Sequence, residues 1–173
     1  MKKLSIIAAA IIAGTLSASA FAYDGEVKFT GNITDEACTV TNAPATPLAV
    51  VLGEVAKSSF GATAGTTAST TKFTLALTNC PDTVNKARVK FDGAPDATNP
   101  ALLRLDAASV ATGVGIEILD DTGTPFSVNT ASKEYPLVTG NNSLNFAARY
   151  KSTLDTVTVG SANANTGFTI NYN

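Results

Sequence analysis

From Val27 onward the chain alternates apolar and polar residues with a period of two, and a helical period is hard to find after Ala22. Successive side chains on a strand point to opposite faces, so this period writes strands with one buried face. Phe73, Leu75 and Leu77 alternate with Lys72, Thr74, Ala76 and Thr78. Val89 and Phe91 alternate with Arg88 and Lys90, and Phe168, Ile170 and Tyr172 with Thr169 and Asn171. Val27, Phe29, Gly31 and Ile33 alternate with Lys28, Thr30 and Asn32. Further short strands are expected at Leu48–Leu52, Leu102–Leu105, Gly115–Leu119 and Leu144–Tyr150.

Turn formers separate these runs: Asn42 to Pro44 with Pro47 close behind, Asp92-Gly93, Asp121-Thr122-Gly123 and Gly140-Asn141-Asn142. Many short strands divided by turn signals indicate an all-β sandwich. Gly61 to Thr71, small and polar, reads as a flexible loop. No internal repeat or domain linker is visible.

The first 22 residues read as a secretory leader. A basic Met1-Lys2-Lys3 start precedes an apolar run from Leu4 to Leu16 and small residues from Ala18 to Ala22. The mature chain is expected to begin at Tyr23, with cleavage after Ala20 as the alternative. No later run reaches the roughly 18 apolar residues of a membrane span. The remaining length suits one domain of roughly 150 residues. Removing Lys2 and Lys3 leaves 10 basic against 14 acidic residues, a net charge of −4. With no basic stripe, nucleic acid is not an expected partner.

Cys38 and Cys80 are the only cysteines, and an exported chain with two cysteines most simply joins them. The closed loop of about 42 residues would contribute roughly 4 kcal/mol in the chain-entropy model. Two distant thiols without histidine make a poor metal site, and no cofactor is expected. A Ser-His-Asp or Cys-His site is excluded by the lack of histidine. Asp121-Thr122-Gly123 matches the aspartic-protease triplet. Such enzymes need two carboxylates sharing a proton, so a hairpin turn is the reading adopted. Asp35-Glu36 reads as a solvated strand end, and the acceptor tripeptide Asn32-Ile33-Thr34 is common by chance.

The two ends of the mature chain stand out. The run Phe168–Tyr172 is followed only by Asn173, so a sandwich closing on it would leave an apolar edge uncovered. A second chain could cover that edge by adding a strand.

Several segments together resemble the major subunits of chaperone–usher fimbriae, the type 1-like pilins. Val27-Lys28-Phe29-Thr30-Gly31 precedes Ala37-Cys38-Thr39-Val40, followed by Leu52-Gly53-Glu54-Val55 with Phe60, and by Leu77-Thr78-Asn79-Cys80. Val114 to Asp120, Phe146 to Tyr150, and the C-terminal Gly160, Ala162-Asn163-Ala164 and Phe168 to Tyr172 continue the pattern. The N-terminal extension is short at Tyr23–Glu26.

The resemblance implies an incomplete immunoglobulin-like β-sandwich lacking its final strand. It divides the chain into a signal peptide (1–22), a donor-strand extension running into the first strand (23–34) and a pilin domain (35–173). The open groove would be filled first by a periplasmic chaperone and later by the extension of the next subunit, an identical or related pilin. An outer-membrane usher would carry the assembly to the cell surface, where the fibre serves in adhesion. Val27, Phe29, Gly31 and Ile33 would form the donor face, each apolar one contributing roughly 1.5–3 kcal/mol on burial. Gly31 would sit where two backbones approach closely. Gly160, Phe168, Ile170, Tyr172 and Asn173 would belong to the groove and the chaperone contact, with Cys38 and Cys80 bonded. The expected function is a structural polymer subunit without catalysis, which meets any host receptor only through the fibre. The alternative is a minor adaptor or single-domain adhesive subunit that binds a host glycan.

Overall fold

The computed structural model describes residues 25–31, 37–42 and 44–173. The proposed leader and Ile33 lie outside these residues. The chain divides into two units, Met1–Ile33 and Thr34–Asn173. In the first, Gly25–Gly31 forms neither helix nor strand, and Val27 and Phe29 are 75% and 90% exposed.

The second unit consists of two antiparallel sheets. Its strands are β1 (Thr39–Val40), β2 (Thr67–Cys80), β3 (Lys86–Asp92), β4 (Val114–Asp120), β5 (Pro125–Phe126), β6 (Tyr135–Pro136), β7 (Gly140–Ser152) and β8 (Gly167–Tyr172). One sheet has the order β1-β2-β7-β4-β5 and the other β6-β3-β8. Among the described residues one short 3-10 turn, Lys57–Phe60, buries Phe60.

The long strands β2 and β7 carry the larger sheet, with Phe73 opposite Phe146 and Leu75 opposite Leu144. Their alternation buries Leu75, Leu77, Leu144 and Phe146 on the inner face. In β3, Ala87, Val89 and Phe91 are buried while Lys86, Arg88 and Lys90 stay at the surface. Phe91 and Phe146 meet between the sheets, joined by Phe73 and Tyr135. Such aromatic contacts add roughly 0.5–1.5 kcal/mol each beyond burial.

The Asp121-Thr122-Gly123 triplet is a turn between β4 and β5. Asp120 Oδ1 accepts the backbone N–H groups of Thr122 and Thr124, both at 2.9 Å, and the Thr122 hydroxyl at 2.6 Å. Burial pushes the Asp120 carboxyl up, but these bonds outweigh it and hold the group below its ordinary value. Gly123, at φ +83°, supplies the left-handed residue the turn requires.

Four expectations need correction. Gly61–Thr71 is only partly a loop: Thr67–Thr71 belongs to β2 and pairs with β7 through Arg149, Ala148 and Lys151. Threonine is a good strand former, and its polarity fits the solvent face here. Leu48–Leu52 joins no ladder; Pro47 offers no N–H before it, and the Val51 carbonyl accepts only the Thr71 hydroxyl, at 3.4 Å. Leu102–Leu105 forms isolated bridges rather than a strand: Leu103 exchanges two 2.9 Å bonds with Ile116 and also bridges Pro95, with Arg104 N–H donating to the Ala94 carbonyl at 2.9 Å. Gly140-Asn141-Asn142 opens β7 rather than preceding it; Asn142 instead ties back to Val138 with two side-chain bonds.

Candidate functional site: an open groove between the sheet edges

The groove is built on strand parity. Asn173 and Lys86 exchange backbone hydrogen bonds, N–H to C=O, at 2.9 and 3.2 Å. In an antiparallel ladder such mutually bonded pairs alternate with unbonded ones. Asn171, Thr169 and Gly167 therefore bond to β3 through Arg88, Lys90 and Asp92. Phe168, Ile170 and Tyr172 turn their N–H and C=O groups the other way, toward the free edge of the sheet. β8 has no strand on that side among the described residues. β3 itself is used on both sides, since Val89 and Phe91 accept bonds from Ser132 and Asn129.

The same three residues also place their side chains in a cleft of about 740 Å³. The opposite wall is Cys38, Val40 and the irregular Leu48–Leu52 run, and the floor includes Phe73, Leu75, Ile116 and Ile118. The floor is the hydrophobic core itself, reached from outside between β1 and β8. The Cys38–Cys80 disulfide, with sulfurs 2.04 Å apart, ties that wall to the end of β2. The Tyr172 hydroxyl is buried without a hydrogen-bond partner, and burial pushes its phenol above the ordinary value.

Phe168, Ile170 and Tyr172 thus line the same cleft. Asn173 is not among the residues lining it; its backbone closes the β3 ladder, accepting further from Asn85 N–H at 3.3 Å. Gly160 lies elsewhere, in a second cleft of about 360 Å³ with Val55, Phe60 and Val157. There its φ is +149°, and a Cβ would come 2.7 Å from Val110 Cβ and 2.8 Å from Ala111 N. Close backbone approach, not groove lining, requires this glycine. Val27, Phe29 and Gly31 sit in the separate first unit. The second wall is hidden in the sequence, because Leu48–Leu52 has the composition of a strand and yet lines the cleft as an irregular run.

One buried charge cluster was also missed. Glu117 on β4 is almost fully enclosed, and its Oε1 accepts Lys151 Nζ at 2.7 Å while its Oε2 accepts Arg149 Nε at 2.7 Å and Nη2 at 2.6 Å. Burial pushes the carboxyl up, and the bonds from Lys151 and Arg149 outweigh that and leave it below its ordinary value. The cluster is fully paired, which suits a structural role. Among the described residues no group of three or more His, Cys, Asp or Glu could hold a metal ion.

The arrangement matches known proteins over nearly its whole length. A family model described as fimbrial protein covers residues 27–173. The chain is 39% identical to the probable major fimbrial subunit LpfA of Escherichia coli O157:H7, across 99% of this chain and 97% of that protein. Among solved structures, it superposes on a Burkholderia pseudomallei antigen and type I fimbria protein with TM-score 0.62 and 41% identity, covering 80% of this chain and 91% of that one. The P pilus rod subunit PapA shares the fold, with TM-score 0.65 at 20% identity, covering 79% of this chain and 99% of that one.

Proposed function

The chain belongs to the fimbrial protein family, and from that premise we propose that its groove is the acceptor for a strand donated by a second subunit. The protein is a structural subunit of a pilus, built on an incomplete immunoglobulin-like sandwich. It assembles with related subunits in a surface fimbrium.

One observation carries the finer reading. Phe168, Ile170 and Tyr172 present backbone groups without a strand partner among the described residues, and groove-facing side chains, at the same edge. A strand laid there gains backbone hydrogen bonds from the edge and buries its alternate side chains on the core. Residues 23–34 of the next subunit are the proposed donor, with Val27, Phe29, Gly31 and Ile33 turned inward. The exposure of Val27 and Phe29 supports this, since they are available to another molecule. Before assembly a periplasmic chaperone occupies the same edge, after removal of residues 1–22 on export, and an outer-membrane usher receives the subunit. Residues 35–173 form the acceptor domain. No catalytic step enters this reading, and adhesion is a property of the assembled fibre.

Deletion of residues 23–31 tests the assignment. The truncated subunit should co-purify with its chaperone yet form no fibres by electron microscopy. Failure to recover any chaperone complex would mean that the deleted strand serves its own core.

A further inference from the structure

The two ends of the sandwich are distinct surfaces. β2 and β7 run its full length, with Cys80 opposite Gly140 at one end and Thr67 opposite Lys151 at the other. The first end holds the Cys38–Cys80 disulfide and, two residues before Gly140, Val138. Tyr172 lies there too, since it pairs with Ala87 beside the Lys86–Pro136 pair. The second end holds Ser152, its partner Val114 and the cleft that contains Gly160. Exposed valines mark both ends: Val138 on the first, and on the second Val110 beside Gly160 and Val159 in the cleft wall, 65% and 74% exposed. This cleft continues the groove, for Leu52 and Ala164 line the groove while their chain neighbours Gly53 and Asn163 line the cleft. Apolar side chains gathered in the open around a cleft mark a contact surface.

Chain connectivity says what arrives there. The chain enters β1 through Cys38 at the first end, and Ile33 precedes Cys38 by five positions. Five residues span at most about 17 Å. A copy whose residues 23–34 lie in the groove therefore holds the first end of its own sandwich close against the acceptor. Every ladder among the described residues is antiparallel. A donor antiparallel to β8 emerges beside Phe168, toward the second cleft. A parallel donor would emerge beside Tyr172, at the end where the acceptor's own extension is attached, and joining like ends closes a pair instead of extending a fibre. We infer that the end of one copy carrying Val138 docks on the end of the next carrying the second cleft, with Val138 against Val110 and Val159. This rests on the reading that a second copy supplies the strand. The two partners use different surfaces, so the contact repeats without closing.

The test shears fibres from expressing cells and measures how fast urea releases subunits from them. It compares the natural chain, Val138→Lys, Val159→Glu and the two changes combined. A fluorescein-labelled peptide of residues 23–34 should bind all four chains equally by anisotropy, since neither valine lines the groove, and this also shows that each chain is folded. Either single change buries a lone charge at every junction and should speed release about tenfold. A single variant that binds the peptide but yields no fibres is the same result in stronger form. In the combined variant the two new charges face each other at every junction, and release should return to within about threefold of the natural rate. If the peptide binds and the single variants release like the natural chain, or the combined variant releases no slower than they do, the end-to-end contact is wrong and the groove reading stands. If the peptide binds none of the chains, the groove reading falls and the contact with it.

Discussion

Phe91 and Phe146 stand edge to face across the two sheets, with ring centroids 5.3 Å apart and planes at 89°. Phe91 comes from the three-stranded sheet and Phe146 from the five-stranded one, so this contact fastens the sandwich beneath the groove floor. Both rings are almost fully enclosed. Phe146 also touches Phe73, Phe126 and Tyr135, which leaves little freedom to collapse around a missing ring. Phe146→Ala should destabilise the chain by about 3–5 kcal/mol. Urea unfolding followed by circular dichroism reads this directly, and a loss below about 1 kcal/mol would contradict the packing described.

Glu117 gives the chain a pH dependence of defined sign. Its carboxyl titrates lower in the fold than in the open chain, because the bonds from Lys151 and Arg149 outweigh burial. The stability it contributes is therefore fully present above the ordinary glutamate value of about 4.3, and is lost as pH falls through the lower folded value. Glu117→Gln leaves Arg149 and Lys151 without their counter-charge. Both are about a quarter exposed, so water softens the penalty to about 2 kcal/mol at neutral pH. The gap between the two proteins should be largest at pH 7 and close as the medium is acidified below about pH 4. A gap that widens on acidification would reverse the sign assigned here.

Gly160 tests the difference between groove lining and backbone approach. Gly160→Ala places a methyl group against Val110 and the Ala111 backbone at a φ that favours glycine, which should cost about 1–3 kcal/mol. Val110→Ala should recover only the part due to Val110 Cγ1, at 2.8 Å, since the Cβ of residue 110 and the backbone nitrogen of Ala111 stay in the way. Donor-peptide binding should be unchanged in the folded fraction, because Gly160 does not line the groove. Thermal melts of the single and double variants, with a peptide titration, measure both effects.

The parts of the fold legible in the sequence are those where one strand face is dry and the other wet. Phe73–Leu77, Val89–Phe91 and Phe168–Tyr172 alternate for this reason, and each lies in a strand. β4 breaks the rule because both its faces are buried, so no alternation marks Glu117 in its middle. Its counter-ions come from β7, more than 30 positions away, which no local pattern announces. Leu48–Leu52 shows the opposite failure. It has a strand's composition, but lies along the mouth of the groove without a ladder partner. Gly160 enters the family pattern through its place near the C-terminus, whereas its requirement comes from Val110, 50 positions earlier in the chain. Half of the groove, the β8 side, was therefore visible in the sequence. The other half depends on where an irregular segment runs.

The parity of β8 separates two proline substitutions one residue apart. Thr169 gives its N–H to β3, whereas Ile170 turns its N–H to the open edge. Proline removes that donor in either place, and proline is tolerated in sheets only where the N–H faces away from a partner. Thr169→Pro should break the β3 ladder and lower stability by about 3 kcal/mol or more. Ile170→Pro should leave the ladder in place and cost the isolated chain clearly less. It should nevertheless weaken strand addition, because one edge hydrogen bond and one groove side chain are lost together. To divide those two losses, Ile170→Ala removes the side chain and keeps the N–H. Peptide release from Ile170→Pro should exceed that from Ile170→Ala by about fivefold, the worth of roughly one backbone hydrogen bond. Equal release rates would show that the edge N–H of Ile170 takes no part in strand addition. Equal destabilisation by the two prolines would mean that the assigned parity is wrong.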